Sequence, residues 1–200
     1  MNNIKSKKTG KEVKINFGSG TKIYPGFINV DQTKEYGAQV ACNLEQFPYP
    51  FKDNYADFIV CEMVLEHLLY PTKSIEEFHR IIKPNGTVKI IVPHFSGLNA
   101  LSADIHIRQY GMGYFYSYLL NNKGMFEHTS TKVWEQTKVK FKDVNIKLIF
   151  PKGMLTILSF PFQILFGSNR RMQGIYEHFF SNFYRCNEIH VTLSNKVLEK

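Results

Sequence analysis

A strand–helix–strand pattern over residues 56–92 constrains the fold of this 200-residue chain more than any other feature of its sequence. Residues 56–61 and 87–92 are nearly continuous apolar runs, which is typical of strands covered on both faces. Between them, Ser74-Ile-Glu-Glu77 has a capping-box pattern that predicts the start of a helix, and Pro84-Asn85-Gly86 predicts its end. The apolar positions of that helix are Ile75, Phe78, Ile81 and Ile82. Parallel strands joined by a right-handed crossover follow from this pattern.

Further apolar runs extend the predicted sheet in both directions. On the amino-terminal side they cover residues 13–17, 27–30 and 38–42. Residues 144–150 and 188–193 alternate between apolar and polar, which predicts a late, hairpin-like pair of strands with helices near 153–166 and 170–184 between them. The predicted fold is α/β, a doubly wound and mostly parallel sheet of seven strands, with an insertion after strand five.

Composition and length predict one globular domain over residues 12–200, preceded by a basic arm at residues 1–11. Apolar residues make up 44% of the chain, enough to bury a core. The irregular, tyrosine-rich stretch at about 95–140 is interpreted as an insertion or lid. The basic arm lacks an apolar segment, and residues 153–169 are too polar for a membrane span, so neither export nor a transmembrane anchor is expected. Three widely spaced cysteines fit a cytoplasmic location.

Polar residues directly follow the first two predicted strands. Gly18, Ser19 and Gly20 follow the first, and a glycine turn lets its N–H groups approach a ligand closely. Asp31 ends the second strand, where a carboxylate can accept both hydroxyl groups of a ribose. Because Pro25-Gly26 interrupts the short connection between them, no full helix fits there, and a dinucleotide such as NAD is disfavoured.

Three segments carry a resemblance to class I S-adenosylmethionine-dependent methyltransferases of the type-11 kind. They are VKINFGSG with GFINVD, CNLEQFPYPFKDNYADFIVCEMVLEHL and IEEFHRIIKPNGTVKIIVP, within residues 13–94. The resemblance implies a Rossmann-like methyltransferase sheet and S-adenosylmethionine as cofactor. The shortened first crossover resembles a compact subgroup, many of whose members are linked to glycan biosynthesis.

The resemblance also implies a set of cofactor-binding residues. Gly18, Ser19 and Gly20 would lie under the cofactor, Asp31 would hold its ribose, Asn43 and Leu44 would lie on adenine, and Cys61 and Glu62 would face its methionine portion. The sequence departs from the family at Asn16, where an acidic residue is usual, at Lys22, where a third glycine is usual, and at Asn43, where Asp is common.

Candidate residues for the methyl acceptor come from the predicted carboxyl edge of the sheet. His67, His94 and His106 are candidate bases, since histidine is the natural base near neutral pH. Asp104, Arg108 and Tyr110 are candidate substrate-binding residues. Asp104 and His106 alone offer two ligands without a third, so no metal site is predicted.

O-methylation of a saccharide or glycan-linked small molecule is the predicted reaction. The net charge of +8 keeps an RNA methyltransferase as an alternative, and a non-catalytic cofactor-binding subunit is a second. The apolar segment Met154–Phe166, flanked by basic residues, is expected to be core, a homodimer interface or a peripheral membrane contact.

Overall fold

Seven strands lie side by side in one sheet. A computed structural model of the chain describes residues 12–101, 105–116, 118, 139–151 and 156–194. The strands are β1 (Lys14–Phe17), β2 (Ile28–Asp31), β3 (Val40–Ala41), β4 (Ala56–Glu62), β5 (Ile82–Pro93), β6 (Asp143–Ile149) and β7 (Glu188–Ser194). Their order is β3-β2-β1-β4-β5-β7-β6, with β7 antiparallel to β5 and β6 and the neighbours from β3 to β5 parallel. The predicted α/β sheet and its late antiparallel pair are confirmed.

The helices lie in the connections on the carboxyl-terminal side of β4. They are α1 (Pro71–Ile81), α2 (Leu98–Leu101), α3 (Met112–Tyr116), α4 (Thr156–Phe166) and α5 (Arg170–Ile175), with a 3₁₀ turn at Leu65–His67 and a π-helical turn at Tyr176–Phe180. The α1 helix forms the crossover from β4 to β5. Both helices predicted between the last two strands are present, and the second ends as the π-helical turn, four residues before the predicted residue 184.

Helix α1 begins three residues before the predicted start. Pro71 is its first residue, where the fixed φ of proline suits a helix and the missing N–H costs nothing. Ser74 therefore does not cap the helix: its hydroxyl oxygen lies 2.9 Å from the Tyr49 hydroxyl oxygen, inside the core. The helix ends at Ile81, and Pro84-Asn85-Gly86 lies in the extended start of β5, opposite an irregularity in β4.

The connection from β1 to β2 contains no helix in residues 18–27, all of which the structure describes. A pair of buried amides orders it instead. Asn16 Nδ2 donates to the Lys22 carbonyl at 3.0 Å and to Asn29 Oδ1 at 2.9 Å. The Asn16 side chain therefore ties two strand ends to the turn between them, which is the structural role of this departure from the family pattern.

The described part of the predicted insertion packs on the sheet. Tyr110, Tyr116 and Tyr118 are almost fully buried and belong to the hydrophobic core. Tyr110 and Tyr118 pack against Tyr114, with ring centroids 5.0 and 5.8 Å from it. These tyrosines form part of the core and do not make an open lid.

The apolar segment predicted at residues 154–166 is helical from Thr156 onward and exposes part of its surface. Phe160, Ile164 and Leu165 are more than half exposed, whereas Phe166 is buried. The neighbouring Phe179 and Phe183 extend this exposed apolar face. The prediction that this segment is wholly buried in the core is therefore wrong for α4. In the part of the chain that the structure describes, no helix has the length and hydrophobicity needed to cross a membrane.

Candidate active site

A cavity of about 480 Å³ opens at the carboxyl ends of β1, β2 and β4. The strand order reverses here, with β2 and β3 on one side of β1 and β4 and β5 on the other, so the connections diverge and leave a crevice. Its lining residues are Gly18, Gly20, Asp31, Gln32, Cys42, Asn43, Leu44, Glu45, Met63, Val64, His67 and Leu68. We call this the strand-end cavity. It brings together residues from the first two of the three sequence segments that carry the resemblance.

Two glycines with positive φ form the turn at one wall of the cavity. Gly18 has a φ of 67°, and a Cβ there would overlap the methyl groups of Val64. Gly20 has a φ of 48°, but a Cβ there would meet no atom within 4 Å. The turn thus needs glycine at both positions for its backbone conformation, and at Gly18 also for its close approach to Val64.

The Asp31 carboxylate is held at the tip of β2 by two backbone N–H groups. Oδ2 accepts a hydrogen bond from the Gly20 N–H at 2.7 Å, and Oδ1 accepts one from the Gln32 N–H at 2.8 Å. Each carboxylate oxygen has a second lone pair, so both can accept further hydrogen bonds. The arrangement suits the two adjacent hydroxyl groups of a ribose, because the carboxylate is oriented before a ligand arrives.

The wall after β3 offers an amide and an apolar surface. Asn43 Oδ1 accepts a hydrogen bond from the Glu45 N–H at 2.9 Å, which directs its NH₂ group away from that contact. Leu44 is mostly buried, and its carbonyl accepts a hydrogen bond from the Tyr49 hydroxyl at 2.9 Å. A flat base could lie on the leucine side chain while its edge meets the amide.

Three of the predicted cofactor residues lie outside the cavity lining. Ser19 is buried, and its N–H donates to the Val30 carbonyl at 3.0 Å. Cys61 has no exposed surface, and burial raises the pKa of its thiol. Side chains alternate along β4, so its neighbour Glu62 points the other way and binds Lys22 Nζ at 2.5 Å and the Tyr24 hydroxyl at 2.7 Å. The structure thus does not bring the Cys61 and Glu62 side chains to the cavity.

The Glu62 contacts fix the long connection after β1. Burial acts to raise the pKa of Glu62, but the hydrogen bonds from Lys22 and Tyr24 outweigh it and hold that pKa below its ordinary value. Lys22 stands where the family has a third glycine, and here its ammonium group joins the turn to the end of β4. Glu62 therefore supports the glycine turn from outside the cavity.

His67 lines the cavity and meets two further polar groups. Ligand atoms of Glu66, His67 and His106 all lie within 4.8 Å of one another, and the two imidazole ring centroids are 4.7 Å apart. We call these residues the Glu66–His67–His106 cluster. His67 Nδ1 lies 3.1 Å from the Ile105 carbonyl oxygen. Because a carbonyl only accepts, Nδ1 carries a hydrogen, and Nε2 is the ring nitrogen that is left for another contact.

Glu66 is 1% exposed, and among the described residues no other residue donates a hydrogen bond to either of its carboxylate oxygens. Burial raises the pKa of Glu66 to about 7. The sequence places Glu66 beside His67, but only the structure shows that the carboxylate turns inward toward His106. Met63, Val64 and Gln32 are further cavity residues for which the sequence offered no signal.

His94 does not face the cavity. Its side chain is fully buried, with Nδ1 accepting from the Ser96 N–H at 3.1 Å and Nε2 lying 3.2 Å from Glu177 Oε1. Glu177 also accepts from the Met112 N–H at 2.7 Å. Both ring nitrogens are thus engaged: Nε2 joins the end of β5 to the carboxyl-terminal helices, and Nδ1 orders the turn after β5. The interpretation of His94 as a base that faces the acceptor is incompatible with this geometry.

The candidate substrate residues support the wall of the site. Tyr110 is 2% exposed, and its hydroxyl donates to the Leu65 carbonyl at 2.9 Å. The Arg108 guanidinium donates to the Leu68 and Leu69 carbonyls at 3.2 and 2.7 Å. Both residues therefore hold the segment after β4, whereas Asp104 lies outside the described residues.

Replacement of Glu66 by glutamine is expected to remove a pH-dependent loss of stability. A carboxyl group whose folded-state pKa is raised stabilises the fold fully below its unfolded pKa and loses that contribution as pH rises through about 7. A shift of this size corresponds to roughly 3 kcal/mol. The quantity to compare is the free energy of unfolding of the wild type minus that of E66Q, and this difference should fall by that amount between pH 4 and pH 8. Urea denaturation with a chelator of divalent cations present measures it. Parallel pH profiles of the two proteins would contradict the burial of an unpaired carboxyl group.

Residues 18–90 match the family model described as a methyltransferase domain, of type 11. Among curated proteins, none matches this chain. Similar solved structures include a Bacillus halodurans protein assigned as a methyltransferase, with a TM-score of 0.53, 13% identity and 94% coverage of both chains. A S-adenosylmethionine-dependent methyltransferase from Archaeoglobus fulgidus has a TM-score of 0.51 and 15% identity, covering 92% of this chain and 86% of that one.

A third similar structure is phosphoethanolamine N-methyltransferase 2 of Haemonchus contortus in complex with S-adenosylmethionine. Its TM-score is 0.51 at 13% identity, with 92% of this chain and 49% of that chain covered. At such identities the structural likenesses establish the fold. The family match identifies residues 18–90 as a methyltransferase segment of type 11, and the fold is that of S-adenosylmethionine-dependent methyltransferases. The glycine turn, the oriented Asp31 carboxylate and the Asn43–Leu44 wall fit S-adenosylmethionine, the cofactor of such enzymes.

Proposed function

We propose that the protein methylates a hydroxyl group of a saccharide or glycan-linked small molecule. The observation that carries this proposal is the position of His67, which lines the same cavity as Gly18, Gly20 and Asp31. A hydroxyl acceptor must lose its proton as it is methylated, and the Glu66–His67–His106 cluster is the polar group on the acceptor side that can assist this loss. Arg108 and Tyr110 act as positioning residues, because they hold the backbone that carries the cluster.

The cofactor-binding roles belong to the other end of the cavity. Asp31 accepts the ribose hydroxyls, the Gly18–Gly20 turn lets the cofactor approach the backbone, and Asn43 and Leu44 bind adenine. Bound S-adenosylmethionine would supply a methyl group on a sulfonium. The acceptor oxygen would attack the methyl carbon in line as the carbon–sulfur bond breaks, S-adenosylhomocysteine would be the leaving group, and the hydroxyl proton would leave on the side of the cluster. Most of the catalysis then comes from alignment of the two reactants.

The choice of a saccharide acceptor is supported by the compact first crossover and by the rim of the site. The crossover from β1 to β2 has no helix in residues 18–27, as in the subgroup linked to glycan biosynthesis. Leu69, Tyr70, Ile105 and Ile107 are at least half exposed beside the cluster. Exposed aliphatic and tyrosine side chains can pack against the C–H faces of a sugar, and a rim of this kind accommodates an acceptor larger than the cavity.

A cytoplasmic protein with one methyltransferase domain over residues 12–200 is part of the same proposal. Three free cysteines, all of them buried, support a reducing location. Peripheral membrane contact or a homodimer through the exposed face of Phe160, Ile164 and Leu165 stays a prediction.

Replacement of His67 by alanine is expected to lower kcat by about 10²–10⁴-fold, because assistance to proton loss is removed. The measurement is production of S-adenosylhomocysteine with a panel of nucleotide sugars, monosaccharides, small phenols and RNA. His178→Ala is the matched control, since this histidine is exposed on the π-helical turn. Affinity for S-adenosylhomocysteine should be unchanged in both variants, which separates loss of chemistry from loss of the cavity.

Each rival function has its own result in this assay. Methylation of RNA alone, at a rate that survives physiological salt, would replace the saccharide by RNA as the acceptor. Binding of S-adenosylhomocysteine without methyl transfer to any acceptor would indicate a non-catalytic subunit. A His67→Ala variant as active as the wild type would remove the cluster from the reaction.

A further inference from the structure

Two segments of the chain bring together three side chains of the types that bind metal ions, beside the strand-end cavity. Glu66 and His67 lie in the 3₁₀ turn after β4, and His106 lies 39 residues further along the chain, in the segment before Tyr110. One ligand atom of each residue lies within 4.8 Å of the other two. Ligand atoms about 2.1 Å from a tetrahedral ion are about 3.4 Å apart, so side-chain movements on the order of an ångström bring this cluster to coordination distance.

Two of these side chains have buried polar atoms that the described residues leave without a hydrogen bond. They are both carboxylate oxygens of Glu66 and Nδ1 of His106. Buried carboxylates are normally hydrogen-bonded, paired with a cation or bound to a metal, because leaving them unpaired is costly. A shared ligand between Glu66 and His106 would satisfy both residues at once.

His67 has the hydrogen bond that usually orients a metal-binding imidazole. Its Nδ1–H donates to the backbone carbonyl of Ile105 at 3.1 Å, which leaves the Nε2 lone pair as its ligand atom. Metal-bound histidines almost always donate their other N–H to a carbonyl or carboxylate in this way. The carbonyl comes from the residue before His106, so the same backbone segment orients one imidazole and carries the other.

Backbone hydrogen bonds hold the two segments in register. The N–H groups of Ile107 and Arg108 both donate to the Glu66 carbonyl, at 3.0 and 3.2 Å. The Arg108 side chain adds bonds to the Leu68 and Leu69 carbonyls. The geometry of the cluster is therefore set by the backbone on both sides, as a preformed site requires.

We propose that Glu66, His67 and His106 bind one divalent transition-metal ion. Two imidazoles and one carboxylate favour Zn²⁺, Co²⁺ or Fe²⁺ over Mg²⁺ and Ca²⁺, which prefer oxygen ligands. Three protein ligands leave at least one coordination position open, as in catalytic zinc sites. His67 lines the strand-end cavity, so we place this open position on the side of the methyl acceptor.

The role of the ion in methyl transfer rests on the proposed function. The metal site itself does not depend on that proposal. A hydroxyl oxygen of the acceptor in the open position would lose its proton more readily, because the positive charge of the ion stabilises the oxyanion. The proton then passes to water, and His67 acts as a ligand in place of a base. Specificity would extend to acceptors whose oxygen can reach the ion.

Isothermal titration calorimetry with Zn²⁺ tests the site directly. The full chain, freed of any affinity tag and dialysed against a chelator, should bind one equivalent of Zn²⁺ in the micromolar range or tighter. Co²⁺ should give visible absorption bands typical of a low-coordinate site. Glu66→Gln, His67→Ala and His106→Ala should each weaken Zn²⁺ binding by at least about tenfold, as loss of a ligand does, while His178→Ala leaves it unchanged.

Binding of S-adenosylhomocysteine is measured on the same samples as a check of folding. Glu66→Gln keeps the shape of the side chain and serves as the variant least expected to disturb the fold. Wild-type protein that binds S-adenosylhomocysteine but no Zn²⁺ or Co²⁺, or three variants with unaltered Zn²⁺ affinity, would overturn the metal site and leave the methyltransferase standing. Zn²⁺ binding without any affinity for S-adenosylhomocysteine would instead contradict the proposed function and leave the metal site standing.

Discussion

Replacement of Asp31 by alanine is expected to weaken binding of S-adenosylhomocysteine by about 1.5–3 kcal/mol, which is roughly 10- to 150-fold in Kd. The loss arises because the carboxylate accepts hydrogen bonds from both ribose hydroxyls and is already oriented by the Gly20 and Gln32 N–H groups. The variant also leaves the Gly20 N–H without its partner, so the glycine turn loses one of its fixed points. Isothermal titration calorimetry of wild type and variant measures the effect.

Two further variants separate charge from position. Asp31→Asn keeps one oxygen that can accept a hydrogen bond and should lose less affinity than Asp31→Ala. Glu35→Ala removes an equally negative but exposed side chain from the connection after β2, and its Kd should match that of the wild type. Equal affinities for wild type and Asp31→Ala would mean that the ribose does not bind at the tip of β2.

Replacement of Gly18 by alanine is expected to destabilise the fold by about 2–5 kcal/mol. A positive φ costs an alanine about 1–2 kcal/mol, and the overlap of its Cβ with Val64 adds about 1–3 kcal/mol of overpacking. Gly20→Ala is the matched control, because it has the same backbone strain but no neighbour within 4 Å. It should cost only the first contribution, about 1–2 kcal/mol. Urea denaturation of both variants measures the difference.

The overlap can be tested apart from the strain by adding Val64→Ala to the Gly18→Ala variant. The double variant should be more stable than the sum of the two single effects predicts, because removal of the Val64 methyl groups makes room for the new Cβ. Simple additivity would show that Gly18 and Val64 do not touch. Equal losses in Gly18→Ala and Gly20→Ala would lead to the same conclusion.

Much of the fold follows from local patterns in the sequence. The apolar runs predicted the strands at the right places along the chain, and Pro25-Gly26 correctly predicted a first crossover without a full helix. The start of α1 was wrong because two signals compete there: a capping box at Ser74 and a proline at Pro71 that suits the first helical turn. Burial of Ser74 against Tyr49 decides between them, and that contact spans 25 residues of sequence.

The residues of the candidate site also divide into those that the sequence could place and those that it could not. Gly18, Gly20 and Asp31 could be placed because they directly follow strands whose ends must meet. His94 could not, because its environment depends on Glu177, 83 residues away. The meeting of Glu66 with His106 likewise depends on how the segment before Tyr110 docks beneath the 3₁₀ turn, which no local pattern records.

A crystal structure with S-adenosylhomocysteine bound tests the cofactor site most directly. Both ribose hydroxyls should lie within hydrogen-bonding distance of the Asp31 carboxylate, with adenine beside Asn43 and Leu44 and the sulfur pointing toward His67. Density for the compound away from the strand-end cavity, or a ribose that makes no contact with Asp31, would contradict this assignment.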